Sequence, residues 1–437
     1  MSSSKSNKTQ ASTSAKRSFA EVEPDQDQSS AQNKTPKVHP FFQKRTAVTV
    51  SEETGPFKWQ EPLGPTGSCL HATNLEPITG VKVAALDLDG TIIKANVRNQ
   101  TTDWEWWAPV VPRKIRELHE SGYSLVIVSN QAIKPLPLKR WKEKVQLIAG
   151  ALNVPLRLFA ATAKDQYRKP MPGIWQELET IFLKDGITID KEQSFFIGDA
   201  AGRVYSKTRS DFSSTDRKWA LNVGLPFQTP EEYFLGLPPH PNVHLPGFNV
   251  SSLPELPPIL PSSSALLPGN TLSEIVLFVG PPCVGKTNFY RRHFKPAGYT
   301  HVNQDMLKTR AKCVAAVLDA IDKKESCVVD NTNRDVSTRK FYLDVAKKNN
   351  VQIRCFIFTA PLELAWHNNI YRTYIEPSTD IPRRTLVPYS AIMGYRNTYE
   401  EPKAEEGFSE IRRVNWSFEG TEEEKKRWSM WLQIDGK

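Results

Sequence analysis

Residues 85–93, ALDLDGTII, set two carboxylates, Asp87 and Asp89, one residue apart in an otherwise apolar run. A strand inside a parallel sheet is buried on both faces and normally reads as unbroken hydrophobic sequence. By the two-residue period of a strand, Asp87 and Asp89 point the same way. Gly90-Thr91 then turns the chain, which places both acids at the carboxyl end of the strand, where α/β sheets hold ligands. Two carboxylates at such an edge repel each other unless a divalent cation lies between them, and hard oxygen ligands suit Mg²⁺.

The same strand-then-helix logic recurs along the chain. Between 81 and 236, the apolar runs VKVAALDL, YSLVIVSN, LRLFAAT and SFFIGDAAG alternate with amphipathic stretches such as VPRKIRELHESG. From 271 the alternation resumes with SEIVLFVG, SCVVDNT and IRCFIFTA. Alternation of this kind predicts α/β architecture with two parallel-sheet domains. Between them, residues 237–270 hold nine prolines and a single charge, which reads as a semi-extended linker. Residues 1–50 are rich in Ser, Lys, Gln and Asn and poor in apolar side chains, the composition of a disordered basic tail. The expected division is therefore 1–50 tail, 51–236 first domain, 237–270 linker and 271–437 second domain.

The totals exclude several classes. No window approaches eighteen uninterrupted apolar residues, so no membrane span is expected. The N-terminus lacks the apolar segment of a secretory signal. Five scattered cysteines give neither a disulfide framework nor a CxxC zinc pattern, which points to the cytosol or nucleus. Of the formal charge of +9, the first fifty residues carry +4, from eight Lys/Arg against four Asp/Glu. The remainder is only modestly basic, and net charge by itself says little about a nucleic-acid partner.

Three further features follow DLDGT in order: IVSN with Ser129, RKPMPG with Lys169, and FFIGDAAGR with Asp199. The set resembles the haloacid dehalogenase-type phosphatases over residues 81–236. That resemblance implies that Asp87 attacks phosphorus to form an aspartyl phosphate. Asp89 would protonate the departing oxygen and later activate water, roles that suit a carboxylate nucleophile and a neighbouring acid/base. It further implies that Ser129 and Lys169 stabilise charge on the transferred phosphoryl group, and that Asp87, Asp199 and the backbone carbonyl of Asp89 hold Mg²⁺. The gaps after the first and second motifs are too short for a large cap domain, which would leave the site open to a bulky, polymeric phosphate ester. The cluster Trp104, Trp106 and Trp107 has two readings, base stacking and core packing.

The second domain opens with EIVLFVGPPCVGKT, a strand followed by G-x-x-x-x-G-K-T and a helical stretch, the context of a phosphate-binding P-loop. Gly280 and Gly285 let backbone N–H groups wrap phosphates at a helix N-terminus. Lys286 would bridge the β- and γ-phosphates of ATP, and Thr287 would ligate Mg²⁺. Cys283 reads as a loop residue. Downstream, Asp305 in HVNQD is placed to take a proton from an acceptor hydroxyl, and Asp330 ends a buried strand as an outer metal or structural acid. Arg372 is the candidate to close over the triphosphate, with Arg383, Arg384 and Arg396 competing for that role.

The order of the two units and the phrases GDAAGR, DFSSTDRKWALNVGLPFQTPEEYF (211–234), HVNQD, DNTN, HNN and MGYR together resemble the eukaryotic polynucleotide kinase 3′-phosphatases over residues 55–437. The resemblance implies removal of 3′-phosphates and ATP-dependent phosphorylation of 5′-hydroxyls at DNA ends in strand-break repair, by a nuclear, monomeric enzyme; RNA end healing is the alternative. It also suggests that Asp211 and Asp216 support the metal site. The N-terminus is too short and polar for the forkhead-associated domain of vertebrate members, so the pattern is closer to the fungal form. Within the tail, Val38…Phe41-Phe42 resembles a sliding-clamp-binding peptide with Thr35 in place of its usual leading Gln; packing on the adjacent domain is the competing and favoured reading.

Overall fold

Each of the two chemistry-bearing strands lies inside a sheet, at the point where strand order reverses. The computed structural model describes residues 56–95, 102–131, 135–263, 265–267, 269, 273–376 and 384–433, all within one compact unit, Glu53–Lys437. The N-terminal expectations, including the clamp-like segment 35–45, lie outside the described residues, as does Arg383.

The first sheet contains β1 (Phe57–Trp59), β2 (Cys69–Asn74), β3 (Val83–Leu86), β4 (Ser124–Asn130), β5 (Leu156–Ala161), β6 (Phe195–Ile197) and β7 (Phe227–Gln228). Their order is β1-β2-β5-β4-β3-β6-β7. Strands β5, β4, β3, β6 and β7 run parallel, while β1 and β2 form an antiparallel flank. The second sheet contains β8 (Ile259–Leu260), β9 (Glu274–Val279), β10 (Thr300–Val302), β11 (Cys327–Asp330), β12 (Gln352–Phe358) and β13 (Glu410–Val414). Here the order is β10-β11-β9-β12-β13-β8, parallel except for the β13–β8 edge. Strand β3 is flanked by β4 and β6, and β9 by β11 and β12, so each neighbour pair is reached by connections on opposite sides. Such switch points leave a crevice at the strands' carboxyl ends.

Burial explains why the central strands read as continuous apolar runs. On β4, Leu125 and Ile127 enter one core while Val126 and Val128 enter the other. On β9, Ile275, Leu277 and Val279 face one side while Val276 and Phe278 face the opposite side. Helices Val111–Glu120, Pro135–Leu152 and Gly173–Lys184 cover the first sheet through Ile115, Trp141 and Ile174. The three tryptophans 104, 106 and 107 are partly buried against the first core, with Trp107 packed on Phe234 at a centroid distance of 6.0 Å. The structure thus uses them for packing.

The proline-rich stretch is extended, but it does not hang free. Val243 bridges to Arg203, Phe248 and Leu253 pack on a cluster with Trp428 and Leu432, and β8 pairs with β13. Proline suits this edge because a strand there does not need every N–H for pairing. The stretch is a strap laid along both sheets. Among the described residues no helix is long and apolar enough to cross a membrane.

Two buried histidines make the fold acid-sensitive. His71 stacks on Phe159 at 4.5 Å, and burial together with the Arg157 guanidinium holds its imidazole down at about 4. His367 is likewise pushed down to about 4 by burial, opposed by its 2.6 Å hydrogen bond to the Trp428 carbonyl. Both are therefore neutral in the folded protein while the unfolded chain takes up protons near pH 6.5. Their stabilisation is complete above pH 6.5 and is lost as pH falls towards 4, about 3 kcal/mol per histidine. Replacing His71 with Phe should flatten the fall in denaturant midpoint between pH 6.5 and 4 relative to wild type; parallel curves would show that His71 does not contribute.

Candidate active sites

The first site is built where β3 and β6 end. The Asp87 amide still pairs with Ile197 O at 2.8 Å, so Asp87 is fixed by the sheet even though it lies past the strand. Gly90 then turns with φ +92°, and a Cβ there would run into the Asp199 carboxylate, so only glycine allows this approach. Carboxylate oxygens of Asp87, Asp199 and Asp216 lie within 4.8 Å of one another. Lys169, fully buried, places its ammonium 2.6 Å from Asp87 Oδ1 and 2.8 Å from Asp216 Oδ1, and donates to Val128 O at 2.8 Å. The lysine loop is tied to β4 by Asn130, whose side chain accepts from Lys169 N at 2.9 Å and donates to Lys169 O at 3.1 Å.

Three carboxylates crowd around one ammonium, which touches two of them, and Asp87 and Asp199 titrate accordingly. Burial, then neighbouring Asp216, pushes Asp87 above the usual carboxylate range against the opposing pull of Lys169. Burial, then Asp87 and Asp216, pushes Asp199 up as well. For Lys169, burial alone would favour the neutral amine, but Asp216 and Asp87 outweigh it and keep the ammonium. Clustered carboxylate oxygens are the donors that a hard divalent cation takes, so the residues present fit Mg²⁺.

Asp89 stands beside this cluster rather than in it. Its Oδ2 accepts from Gln131 Nε2 at 2.6 Å, and the same amide donates to Ser129 Oγ at 3.0 Å. Oδ1 is buried without a hydrogen-bond partner and faces Lys144 Nζ at 3.9 Å. The structure therefore brings Asp87 and Lys169 into contact, sets Asp199 within 4.8 Å of Asp87 and links Ser129 to Asp89 through a glutamine. The Asp89 side chain is not among the clustered carboxylates, where Asp216 joins Asp87 and Asp199. Asp211 is committed elsewhere, to Arg203 at 2.9 Å, because Arg203 must be held against the loop that follows Asp199.

Gln131, Lys144 and Asn130 escaped the sequence reading. Lys144 did leave a signal: helical spacing puts it on the buried stripe of Trp141, Val145 and Ile148, where a lysine has no packing reason to be. Among the described residues no domain is inserted over the site; between β3 and β4 they form one helix, Val111–Glu120.

The second site follows β9. Gly285 adopts φ +86° and caps helix Lys286–Phe289, so the loop's backbone converges on a helix N-terminus. Lys286 is buried, and its ammonium donates to Gly280 O at 3.0 Å and Pro281 O at 2.6 Å. Burial lowers its affinity for a proton to about 8. Thr287 Oγ1 donates to Asp330 Oδ2 at 2.7 Å, and the same carboxylate meets His301 Nε2 at 2.9 Å and Asn303 Nδ2 at 3.3 Å. Burial pushes Asp330 up, but the hydrogen bonds from His301 and Thr287 and the Lys286 charge outweigh it and hold the carboxyl below its usual range.

Gly285, Lys286, Thr287, Asn303 and Asp330 line a cleft of about 1060 Å³ that also holds Asp305, Arg372, Arg384 and Trp416. Asp305 is exposed in the short helix Gln304–Leu307, whose N-cap Asn303 accepts from the Asp305 amide at 2.9 Å. Arg372 sits on the π-helical turn Tyr371–Ile375, its Nη2 3.3 Å from Asn369 Oδ1. Arg396 is exposed on helix Tyr389–Thr398 and does not line the cleft.

Comparison with known proteins joins the two sites. Residues 82–234 match the polynucleotide kinase 3 phosphatase family and residues 310–402 an AAA domain. The chain is 35% identical over 364 residues to a bifunctional polynucleotide phosphatase/kinase of Schizosaccharomyces pombe, covering 80% of this chain and 83% of that one. It is 33% identical over 378 residues to a putative bifunctional polynucleotide phosphatase/kinase of Acanthamoeba polyphaga mimivirus, covering 80% and 88%. A polynucleotide 3′-phosphatase of Arabidopsis thaliana is 39% identical over 176 residues, 35% of this chain and 24% of that protein.

Proposed function

The chain belongs to the bifunctional polynucleotide phosphatase/kinases, and we propose on that premise that it heals DNA ends in strand-break repair, hydrolysing 3′-phosphates through an aspartyl-phosphate intermediate and phosphorylating 5′-hydroxyls from ATP. The observation that carries this reading is the pairing of two phosphate-handling sites, Asp87–Lys169–Asp216 and Lys286–Thr287–Asp330, at the switch points of two sheets within one unit.

In the phosphatase reaction an Asp87 oxygen attacks phosphorus while the ester oxygen departs with a proton from Asp89. Asp89 then takes a proton from the water that opens the aspartyl phosphate. Because Ser129 Oγ accepts from Gln131, its own proton is left to donate to a phosphoryl oxygen, beside the Lys169 ammonium. Gln131 fixes Asp89 through Oδ2 and leaves Oδ1 for proton transfer. Mg²⁺ would be held by Asp87, Asp199 and the backbone carbonyl of Asp89, with the Asp216 carboxylate beside them in support, and would neutralise charge on the phosphoryl group. Among the described residues no inserted domain roofs the site, which suits the end of a polymer. In the kinase reaction Lys286 binds the phosphates of ATP, Arg372 and Arg384 line the same cleft, and Asp305 takes the proton of the acceptor 5′-hydroxyl; Thr287 would help hold Mg²⁺.

A nicked duplex bearing a 3′-phosphate and a 5′-hydroxyl, supplied with Mg²⁺ and ATP, should be converted at both ends, with binding that weakens steeply as salt rises. An RNA end of the same sequence turned over as fast or faster would favour RNA healing; free sugar phosphates turned over as fast as DNA would remove the polynucleotide assignment. Nuclear location and a monomeric state belong to the same reading, while clamp binding through 35–45 is the less favoured of the two readings of that segment. Loss of clamp capture in a Phe41→Ala/Phe42→Ala variant tests the last of these.

The metal assignment has its own check. Asp199 is held protonated-prone by burial and by two neighbouring acids, so its ionised form opposes folding at neutral pH. Asp199→Asn should therefore raise the thermal midpoint measured in chelator, and should remove the rise that Mg²⁺ gives wild type by mass action. An equal Mg²⁺ effect in wild type and variant would place the ion elsewhere.

A further inference from the structure

The two active sites are joined by a short run of hydrogen bonds that neither chemistry requires. It begins at the residue after the phosphatase lysine. Asn222 Nδ2 donates to Pro170 O at 2.8 Å and to Trp431 O at 2.7 Å, while Asn222 Oδ1 accepts from Trp431 N at 2.7 Å. Asn222 lies near the end of helix Thr215–Val223, and Asp216 in that helix's first turn holds the Lys169 ammonium. One helix therefore grips the lysine by its charged tip and grips its loop by the next carbonyl.

From the C-terminal segment the run continues into the kinase cleft. Trp428 Nε1 donates to Asn368 Oδ1 at 2.8 Å, and Asn368 Nδ2 donates to the P-loop carbonyl of Cys283 at 3.2 Å. Trp428 also stacks on the cleft residue Trp416 at 4.6 Å. Packing follows the same route. Met171, two residues beyond Lys169, is fully buried among Leu364, Ile370, Tyr371, Trp428 and Leu432, so the lysine loop is seated on the helix that leads into Arg372.

We propose that this joint makes the phosphatase step responsive to nucleotide in the kinase cleft, with Asn222 as a positioning residue for Lys169. The cleft must change when a triphosphate enters. Lys286 now donates to the loop carbonyls of Gly280 and Pro281 and has to turn to the phosphates, while the loop's N–H groups close around them. Cys283 moves with that loop, and Asn368, Trp428 and Trp431 transmit the shift to Asn222 and Pro170. Packed side chains and hydrogen bonds of this kind carry coupling when an element has two arrangements.

The proposal rests on the phosphatase assignment above, and the test separates the two. The substrate is a 3′-phosphorylated oligonucleotide whose 5′ end is already phosphorylated, so the kinase has no acceptor. Saturating nonhydrolysable ATP analogue should change the wild-type phosphatase kcat about 3- to 10-fold, with a smaller change in KM. In Asn222→Ala that ratio should collapse to about 1 while 5′-kinase activity and analogue affinity are kept, a pattern that simple loss of stability does not produce. Trp428→Phe keeps an aromatic ring, smaller than the indole, and drops the N–H to Asn368; it should also bring the ratio towards 1, and it decides the matter if Asn222→Ala is insoluble. A wild-type kcat indifferent to the analogue, or a ratio that survives in the deciding variant, overturns the joint and leaves the phosphatase assignment standing. A wild-type protein with no 3′-phosphatase turnover would overturn both.

Discussion

Asp87→Asn is expected to abolish release of phosphate from 3′-phosphorylated ends, on the order of 10⁴-fold or more in kcat, while 5′-phosphorylation by the same preparation continues at the wild-type rate. The amide is nearly isosteric with the carboxylate but cannot form the acyl phosphate, so the loss is chemical. The fold should gain, because burial and the neighbouring Asp216 already oppose ionisation of Asp87. A folded-state affinity for protons raised above that of the unfolded chain means stability that is present at low pH and lost as pH rises towards neutrality. Removing the charge removes that loss, and Lys169 keeps Asp216 as its partner at 2.8 Å. Wild type and variant should accordingly differ in thermal midpoint at pH 7.5 in chelator, with the variant higher, and converge near pH 4. Asp87→Glu should also be inactive: in a fully buried site an added methylene moves the oxygens off the phosphorus and against Lys169. Retained 3′-phosphatase turnover in Asp87→Asn would remove the nucleophile assignment, and loss of both activities would show that the substitution had disturbed the shared fold.

What could be read in advance divides by the range of the signal. Strands β3, β4, β9 and β11 are buried on both faces, and that leaves a local mark of consecutive apolar residues followed by a carboxylate, serine or glycine turn. The clustered Asp87, Lys169 and Asp199 sit at such strand ends or on the loop tied to one, so a linear scan finds them. Strand β2 was missed because CLHATN mixes His71, Thr73 and Asn74 with its apolar residues and serves an antiparallel flank. Strand β13 was missed because EIRRV looks exposed, yet Arg412 is buried beside Glu410 at 2.9 Å and over the Phe356 ring at 6.0 Å. Asp211 and Asp216 stand in the same phrase, and no spacing rule says which one turns inward. That choice is made by helix Thr215–Val223, which begins against the lysine loop, and by Arg203, which claims Asp211. Asn222 is silent in sequence for the same reason: its partner Trp431 is 209 positions away.

Lys286→Ala is expected to remove 5′-kinase activity by about 10³-fold or more and to leave 3′-phosphatase turnover in the absence of nucleotide unchanged. The lysine is a cation buried at the turn of the phosphate loop, where its interaction with a triphosphate is little screened by water. Lys286→Arg should not restore activity, since a planar guanidinium does not fit a site shaped around a compact ammonium held between two loop carbonyls. Its protonation gives a second, independent readout. Burial lowers the lysine to about 8 in the nucleotide-free protein, and the triphosphate binds the charged form. Nucleotide affinity should therefore be level below pH 8 and fall above it, by up to about tenfold per pH unit until the raised value of the bound state is reached. In Lys286→Met, which keeps most of the volume without the charge, the residual affinity should be weak and flat over the same range. Equilibrium binding of a nonhydrolysable analogue between pH 6.5 and 9.5 measures both curves. A wild-type curve with no bend near pH 8, or the same bend in Lys286→Met, would mean that another group governs phosphate binding, with Arg372 and Arg384, two of the arginines that line the cleft, the next to substitute.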